Sequence, residues 1–245
     1  MDNLILSNEK NNVLTITLNR FDKKNALNKA MYSELCRLFN YAEQTSAIHC
    51  VLIQGNEQCF SAGNDLADFL QHDGKEEFVA FKFVKQLAAF KKPIVVAVAG
   101  PAVGIGTTLL LHSDYIIASD NSKFKLPFSQ LGLCPEAGSS AILPLKLGHN
   151  KAFELMVLGD LFFAQQALEY QIINKCCKPE ELLPMATQVA ESIAKLPQDS
   201  VLTARRLLKQ TNQAAVEQAL VNEAKEFTRL LETDDCKKIM QQFFG

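Results

Sequence analysis

Ile94 to Val98 is an unbroken, mostly β-branched run, and Gly100-Pro101 stops it abruptly. Such a run reads as a strand buried on both faces, as in the middle of a parallel sheet. Gly104 and Gly106 then permit a tight turn closed to bulkier residues, and Thr107 to His112 reads as a largely apolar helix. This order of strand, glycine turn and helix exposes the helix's first N–H groups at the strand's end. Those donors and the helix dipole favour negative charge there: a phosphate, a carboxylate, or an oxyanion that exists only during a reaction. The spacing is neither the three-glycine dinucleotide fingerprint nor a Gly-Lys-Ser/Thr phosphate loop. Close packing of strand on helix accounts for the same glycines, so the turn alone names no ligand.

Strand and helix alternate through about residue 180. Val13 to Leu18 puts Leu14, Ile16 and Leu18 on one face, a half-buried strand, and a polar loop follows from Asn19 to Asn25. Asn25 or Asn28 can cap the next helix, whose buried stripe is Met31, Leu35, Leu38 and Ala42. Val51 to Gln54 predicts a strand, and Phe60 to Leu66 turns sharply into a polar helical stretch, with a break or mobile loop expected at His72-Asp-Gly74. Phe78 to Phe90 reads as one helix's apolar face. Strands are expected at Tyr115 to Ala118, Lys123 to Phe128 and near Ile172 to Lys175, with a loop over Leu131 to Gly138. Pro184 is placed in the first turn of a helix that Pro197 ends. Two or three amphipathic helices close the chain. The expectation is an α/β core over 1–195 with a helical region over 196–245.

Composition narrows the classes. A chain of 245 residues, 48% hydrophobic and 21% charged, can bury a sizeable core. Its net charge of −2 gives no electrostatic reason to expect nucleic acid or an anionic membrane as partner, and no apolar run is long enough to span a bilayer. Met1-Asp2-Asn3 lacks the layout of a signal peptide, and the ending Gln-Phe-Phe-Gly245 is no obvious address tag. The seven cysteines form no CxxC pair, and adjacent Cys176-Cys177 makes a poor metal clip. They read as reduced thiols of a cytoplasmic protein without a metal site. Cys134 merits attention for its position, although a packed loop thiol is the simpler reading. The four histidines have no Ser or Asp partner at a spacing that suggests a triad.

Taken together, several segments resemble the crotonase (enoyl-CoA hydratase/isomerase) superfamily: Leu18-Asn-Arg20 with Asn25-Ala-Leu27, Cys59-Phe-Ser-Ala-Gly-Asn-Asp-Leu66, Lys92-Pro-Ile94, Gly100-Pro-Ala-Val-Gly-Ile-Gly106 and Asp114. Pro127 to Ser140 is most similar to the peroxisomal-type Δ3,Δ2-enoyl-CoA isomerases. The resemblance implies a crotonase-like ββα spiral core, with a C-terminal helical region used in packing a homotrimer or a dimer of trimers. It implies an acyl-CoA substrate and no separate cofactor, coenzyme A being part of the substrate. The thioester oxygen would sit between the backbone N–H groups of Asn64 and Ile105. Arg20, Lys24, Ala26, Ala62, Gly63, Asp65, Leu66 and Gly104 would lie along the substrate, with Arg20, Lys23 and Lys24 beside the CoA phosphates. Asp65 also fits a helix cap, and the Phe78 to Phe90 helix could line the acyl tunnel.

The acid–base inventory chooses among that superfamily's reactions. Its hydratases use two glutamates, and their positions fall here on Thr108 and Phe128. Phenylalanine has no proton to move, and a threonine hydroxyl is far too weak a base near neutral pH. Glu136 remains, where the resembling isomerases carry their base. One carboxylate serving two carbons in turn suits a 1,3-proton shift from a 3-enoyl-CoA to the 2-trans form. Other readings are a weak hydratase, a thioester hydrolase, or a non-catalytic module that binds CoA or a protein. Read without the resemblance, Glu136 is simply an acid in a helix's first turn.

Overall fold

The computed structural model describes residues 3–70 and 77–242. The expectations at His72-Asp-Gly74 and at both termini lie outside these residues.

The chain begins with an unanticipated strand, β1 (Ile5–Lys10), paired antiparallel with β2 (Val13–Leu18). Asn11 and Asn12 both take positive φ between them, which is the two-residue turn that matches the twist of a hairpin. Of β1 only Ile5 is buried, so this polar edge strand has no alternation to betray it. The α1 helix (Lys29–Gln44) is capped by Asn28, whose side chain accepts from Met31 N–H at 2.9 Å. It leads to β3 (Cys50–Gln54), the short α2 (Leu66–Leu70), then α3 (Val79–Ala89) and β4 (Ile94–Val98). The Gly100-Pro101 break does not end extended structure: β5 (Pro101–Val103) follows, then α4 (Ile105–Thr108), which tightens to a 3-10 turn over Leu109–His112.

β6 (Tyr115–Ser119) and β7 (Lys123–Lys125) repeat the step, so the strand expected up to Phe128 is cut to three residues before the loop. The helices α5 (Ser139–Leu147) and α6 (His149–Phe153), the latter continuing through Leu158, come next, followed by β8 (Phe162–Phe163), α7 (Ala164–Glu169) and β9 (Lys175–Cys177). The last strand sits a few residues later than expected, because Ile172 and Ile173 are buried in the core ahead of it. Then α8 (Pro179–Ala194) begins at Pro179, not at Pro184, which lies inside the helix. Three further helices, α9 (Gln198–Gln210), α10 (Gln213–Leu231) and α11 (Asp234–Gln242), complete the described chain.

The long sheet runs β1-β2-β3-β4-β6-β9, parallel from β2 onward, and a second sheet runs β5-β7-β8. Each coil gives one strand to the long sheet and the next extended piece to a second layer. Isolated bridges Leu27↔Asn64 and Ser61↔Ala102 carry that layer back to earlier coils. Residues near 27, 62, 102 and 124 are therefore successive rungs of one spiral. β4 is wholly buried: Ile94, Val96 and Val98 join the main core with α1 and α3, while Val95 and Ala97 meet α8. Ala186, Ala190 and Ala194 form a small-residue stripe that lets α8 lie close on the sheet. The C-terminal helices fold back, with α10 packed on α3 and α5.

Candidate active site

Two glycine turns stand on neighbouring rungs. Ser61 N–H donates to Pro101 C=O and Val103 N–H to Ser61 C=O, each at 3.0 Å, which zips the rungs together. Gly106 fits because there is no side chain to fill the gap: a Cβ there would lie 2.9 Å from Ser61 O. Gly63, at φ 96°, would drive a Cβ to 2.7 Å from Val103 O. Asn25 fastens the preceding loop, its Nδ2 donating to Cys59 and Phe60 C=O and its Oδ1 accepting from Arg20 N–H.

Within the first turn Ala62, Gly63 and Asp65 donate to Lys24 C=O, Ser61 Oγ and Leu27 C=O, so their N–H groups are occupied. Asn64 is different. Its neighbours' bonds to Leu27 turn its own N–H away from that rung, and it donates to no group among the described residues. On the next rung Gly104 N–H donates to Lys125 C=O. Ile105 opens α4 with its N–H likewise without an acceptor among the described residues. Two open amides thus lie on adjacent, zipped turns, one of them at a helix start.

Glu136 closes the group. It is 5% exposed, and Thr108 Oγ1, three residues past Ile105, donates to its Oε1. Burial pushes its pKa up to about 8; the Thr108 bond pulls it down and the charge of Glu223 adds to the rise. Its backbone is held too. Ala137 and Gly138 both take left-handed φ, and the buried His112 donates from Nε2 to Ala137 C=O at 2.7 Å. Burial lowers His112 to about 4, so the ring is neutral, with its proton on the nitrogen that meets the carbonyl. Phe128, the other hydratase position, is buried in the core.

Two residues that the sequence does not single out join the site. Tyr32, on the otherwise apolar stripe of α1, donates its hydroxyl to Asn64 Oδ1. Burial, and next the Glu136 charge, raise its pKa well above the usual value, which places the phenol near both groups. Glu223 of α10 lines a pocket with Glu136, Phe81, Val84 and Leu220. In both cases a polar residue at a buried-face position was the available signal.

Arg20 and Asp65, two of the residues expected along the substrate, are paired with each other: Arg20 Nη1 donates to Asp65 Oδ2 at 2.6 Å and also to Ala26 C=O. Asp65 uses its other oxygen on Ala67 N–H, so it is a helix cap with an ion pair. A guanidinium at 15% side-chain exposure with these partners ties the two turns together instead of reaching into solvent. Lys24 is exposed, Ala26, Ala62, Leu66 and Gly104 are half-buried, and Gly63 is buried.

Cys134 is not an activated thiol: burial and then the Glu223 charge push it up to about 11. None of the seven cysteines is disulfide-bonded, and no metal-ligating cluster of His, Cys, Asp and Glu occurs among the described residues. No helix among them is long and apolar enough to cross a membrane.

Open amides on consecutive rungs of a ββα spiral, with a buried carboxyl bonded to the helix that one of them opens, mark an enzyme of the crotonase type. Comparison with known proteins agrees. The family described as enoyl-CoA hydratase/isomerase matches residues 8–245. The 1,2-epoxyphenylacetyl-CoA isomerase of Escherichia coli (strain K12) is 35% identical over 205 residues, 80% of this chain and 78% of that protein. Enoyl-CoA delta isomerase 2 of Rattus norvegicus is 34% identical over 218 residues, 84% of this chain and 54% of the longer relative. A crystal structure of an enoyl-CoA hydratase/isomerase from Pseudoalteromonas atlantica has a TM-score of 0.94 at 35% identity, covering 99% of this chain and 97% of that one. The chain belongs to the enoyl-CoA hydratase/isomerase family, and its spiral is the crotonase fold.

Proposed function

We propose that the protein is a Δ3,Δ2-enoyl-CoA isomerase with Glu136 as its single base. The thioester oxygen of a 3-enoyl-CoA accepts from the N–H groups of Asn64 and Ile105. Glu136 takes a proton from C2, and the C–H electron pair spreads over a dienolate whose negative oxygen the two amides stabilise. The protonated Glu136 then returns the proton to C4, and the double bond rests between C2 and C3. An acid–base group near pH 8 suits both taking and giving the proton near neutrality. Each amide is worth about 3 kcal/mol of barrier.

One observation carries this reading above hydration: the buried carboxyl of Glu136 is bonded to Thr108, the residue at a position where a hydratase has a glutamate. A second glutamate, Glu223, does face the same pocket, but three backbone and serine donors engage its oxygens and tie it to the start of α5. Incubation with 3-hexenoyl-CoA tests the reading: absorbance of the conjugated 2-enoyl thioester should grow. Loss of that absorbance from 2-hexenoyl-CoA instead would establish a hydratase. Release of free thiol would establish a thioesterase, and CoA binding without turnover a binding module.

Exposed Leu145, Phe153, Leu158 and Phe163 form apolar surface on and after α5 and α6, and this supports assembly into a homotrimer or a dimer of trimers. Lys24, exposed at the mouth of the first turn, is suited to the CoA phosphates. The unpaired thiols support a reducing compartment, the cytoplasm.

A further inference from the structure

Glu223 sits in the buried stripe of α10 beside Ala219, Leu220 and Phe227, where a carboxylate carries a large desolvation cost. Three donors offset it. Gly138 N–H donates to Oε2 at 2.6 Å, and Ser140 N–H and Oγ donate to Oε1 at 2.9 and 2.5 Å. Burial raises the Glu223 pKa above the ordinary carboxylate value, and the bonds from Ser140 and Gly138 pull it back down, so these donors favour the charged form against the cost of burying it. The two N–H groups also belong to the start of α5, whose dipole favours the same charge. Gly138 and Ser140 follow Glu136 by two and four residues, so α10 grips the segment that carries this carboxyl. A pocket lined by both glutamates separates them.

We propose that Glu223 is a positioning residue for Glu136: its grip on Gly138 and Ser140 holds the Glu136 loop in place, and its negative charge across the pocket favours the protonated form of Glu136. The proposal rests on the isomerase reading only for what Glu136 then does with its proton. The other groups around this pair are Tyr32 from α1, Lys85 at the pocket on α3, Cys134 in the preceding loop, neutral His112 behind Ala137, and Glu226 on α10. Lys85 is paired with Glu77 at 2.5 Å and is exposed, so its charge is largely spent outside the pocket. Glu223 is therefore the buried charged group that shares a pocket with Glu136, and after burial itself its charge adds to the raised Glu136 pKa. The result is a carboxyl both fixed in space and willing to carry a proton between two carbons.

Glu223→Gln tests both halves. It removes the charge and leaves one oxygen to serve donors that now occupy two. The readouts are the 13C NMR titration of the Glu136 carboxyl, assigned with Glu136→Gln, and the pH profile of kcat/KM on 3-hexenoyl-CoA. The Glu136 midpoint and the acid limb should both move to lower pH by about half a unit or more. At the plateau kcat should fall about tenfold, with KM held within about twofold. Glu223→Asp keeps the charge on a shorter arm, so its midpoint should stay near that of the wild type while kcat falls, and it serves alone if the Gln variant does not fold. A lowered Tm with an unmoved Glu136 midpoint in Glu223→Gln, or an unchanged kcat in Glu223→Asp, overturns the proposal. A wild type inert on 3-enoyl-CoA, whose Glu136 midpoint still drops in Glu223→Gln, refutes the isomerase and leaves the clamp standing. Turnover with superimposable midpoints does the reverse.

Discussion

Thr108 donates its hydroxyl to the carboxyl of Glu136, and the four-residue helix that carries Thr108 begins with the open N–H of Ile105. The proposed base and one amide of the proposed oxyanion pair are thus fixed to the same turn of backbone. Thr108→Val, close to isosteric, removes the donor. Since the Thr108 bond lowers the Glu136 pKa, its loss should move the acid limb of kcat/KM to higher pH. Activity at pH 7 should fall about tenfold, and a pH series on 3-hexenoyl-CoA reads both effects.

Glu136→Gln should reduce isomerisation by about 10²–10⁴-fold while circular dichroism stays that of the wild type. A variant keeping most of the rate would move the base elsewhere.

The same carboxyl links activity to stability with opposite signs. The base must start deprotonated, so kcat/KM should climb with pH and level off above about 8. Its folded pKa lies above the ordinary 4.5, so its contribution to stability is complete below about 4.5 and is lost as pH rises through about 8. Thermal melts of Glu136→Gln and wild type should therefore diverge over that window. Above pH 8 the variant should be the more stable by on the order of 2–4 kcal/mol.

Gly106→Ala tests the contact between the rungs. The new Cβ would meet Ser61 O at 2.9 Å and Ser61 Cβ at 3.2 Å, so the two turns must part. Stability should drop by about 1–3 kcal/mol, and kcat by about 10²-fold if one amide leaves the thioester oxygen. Denaturant titration and steady-state kinetics separate the two effects.

Asp65→Asn leaves Arg20 without its charged partner at 15% side-chain exposure. Stability should fall by about 1–3 kcal/mol. The ratio of KM for a CoA thioester to that for the matching pantetheine thioester should hardly change; a change in that ratio would return Arg20 to the phosphates.

The centre of this structure was readable because its constraints are local. The Ile94 to Val98 run and the glycines at 104 and 106 each announce a conformation that few other residues can take. β1 was missed because Leu6 to Lys10 face water, and pairing alone makes them a strand. The start of α8 was misplaced because Pro184 looked like a first-turn proline. The better signal was Pro179, followed by Glu181, whose carboxylate accepts from Lys178 N–H at 3.2 Å. Tyr32, His112 and Glu223 escaped because their partners are brought close only by the coiling of the spiral. The Arg20–Asp65 pair escaped for the same reason: two charges far apart in sequence carry no mark of their meeting.

The stitched turns at 61–64 and 101–105 make the polar cradle out of peptide groups, with glycines supplying its shape. A single methyl at 63 or 106 therefore intrudes on that cradle. With the two amides fixed by these stitches, the proposed chemistry is set by where a carboxyl stands beside them, and in this chain that place is 136 and not 108.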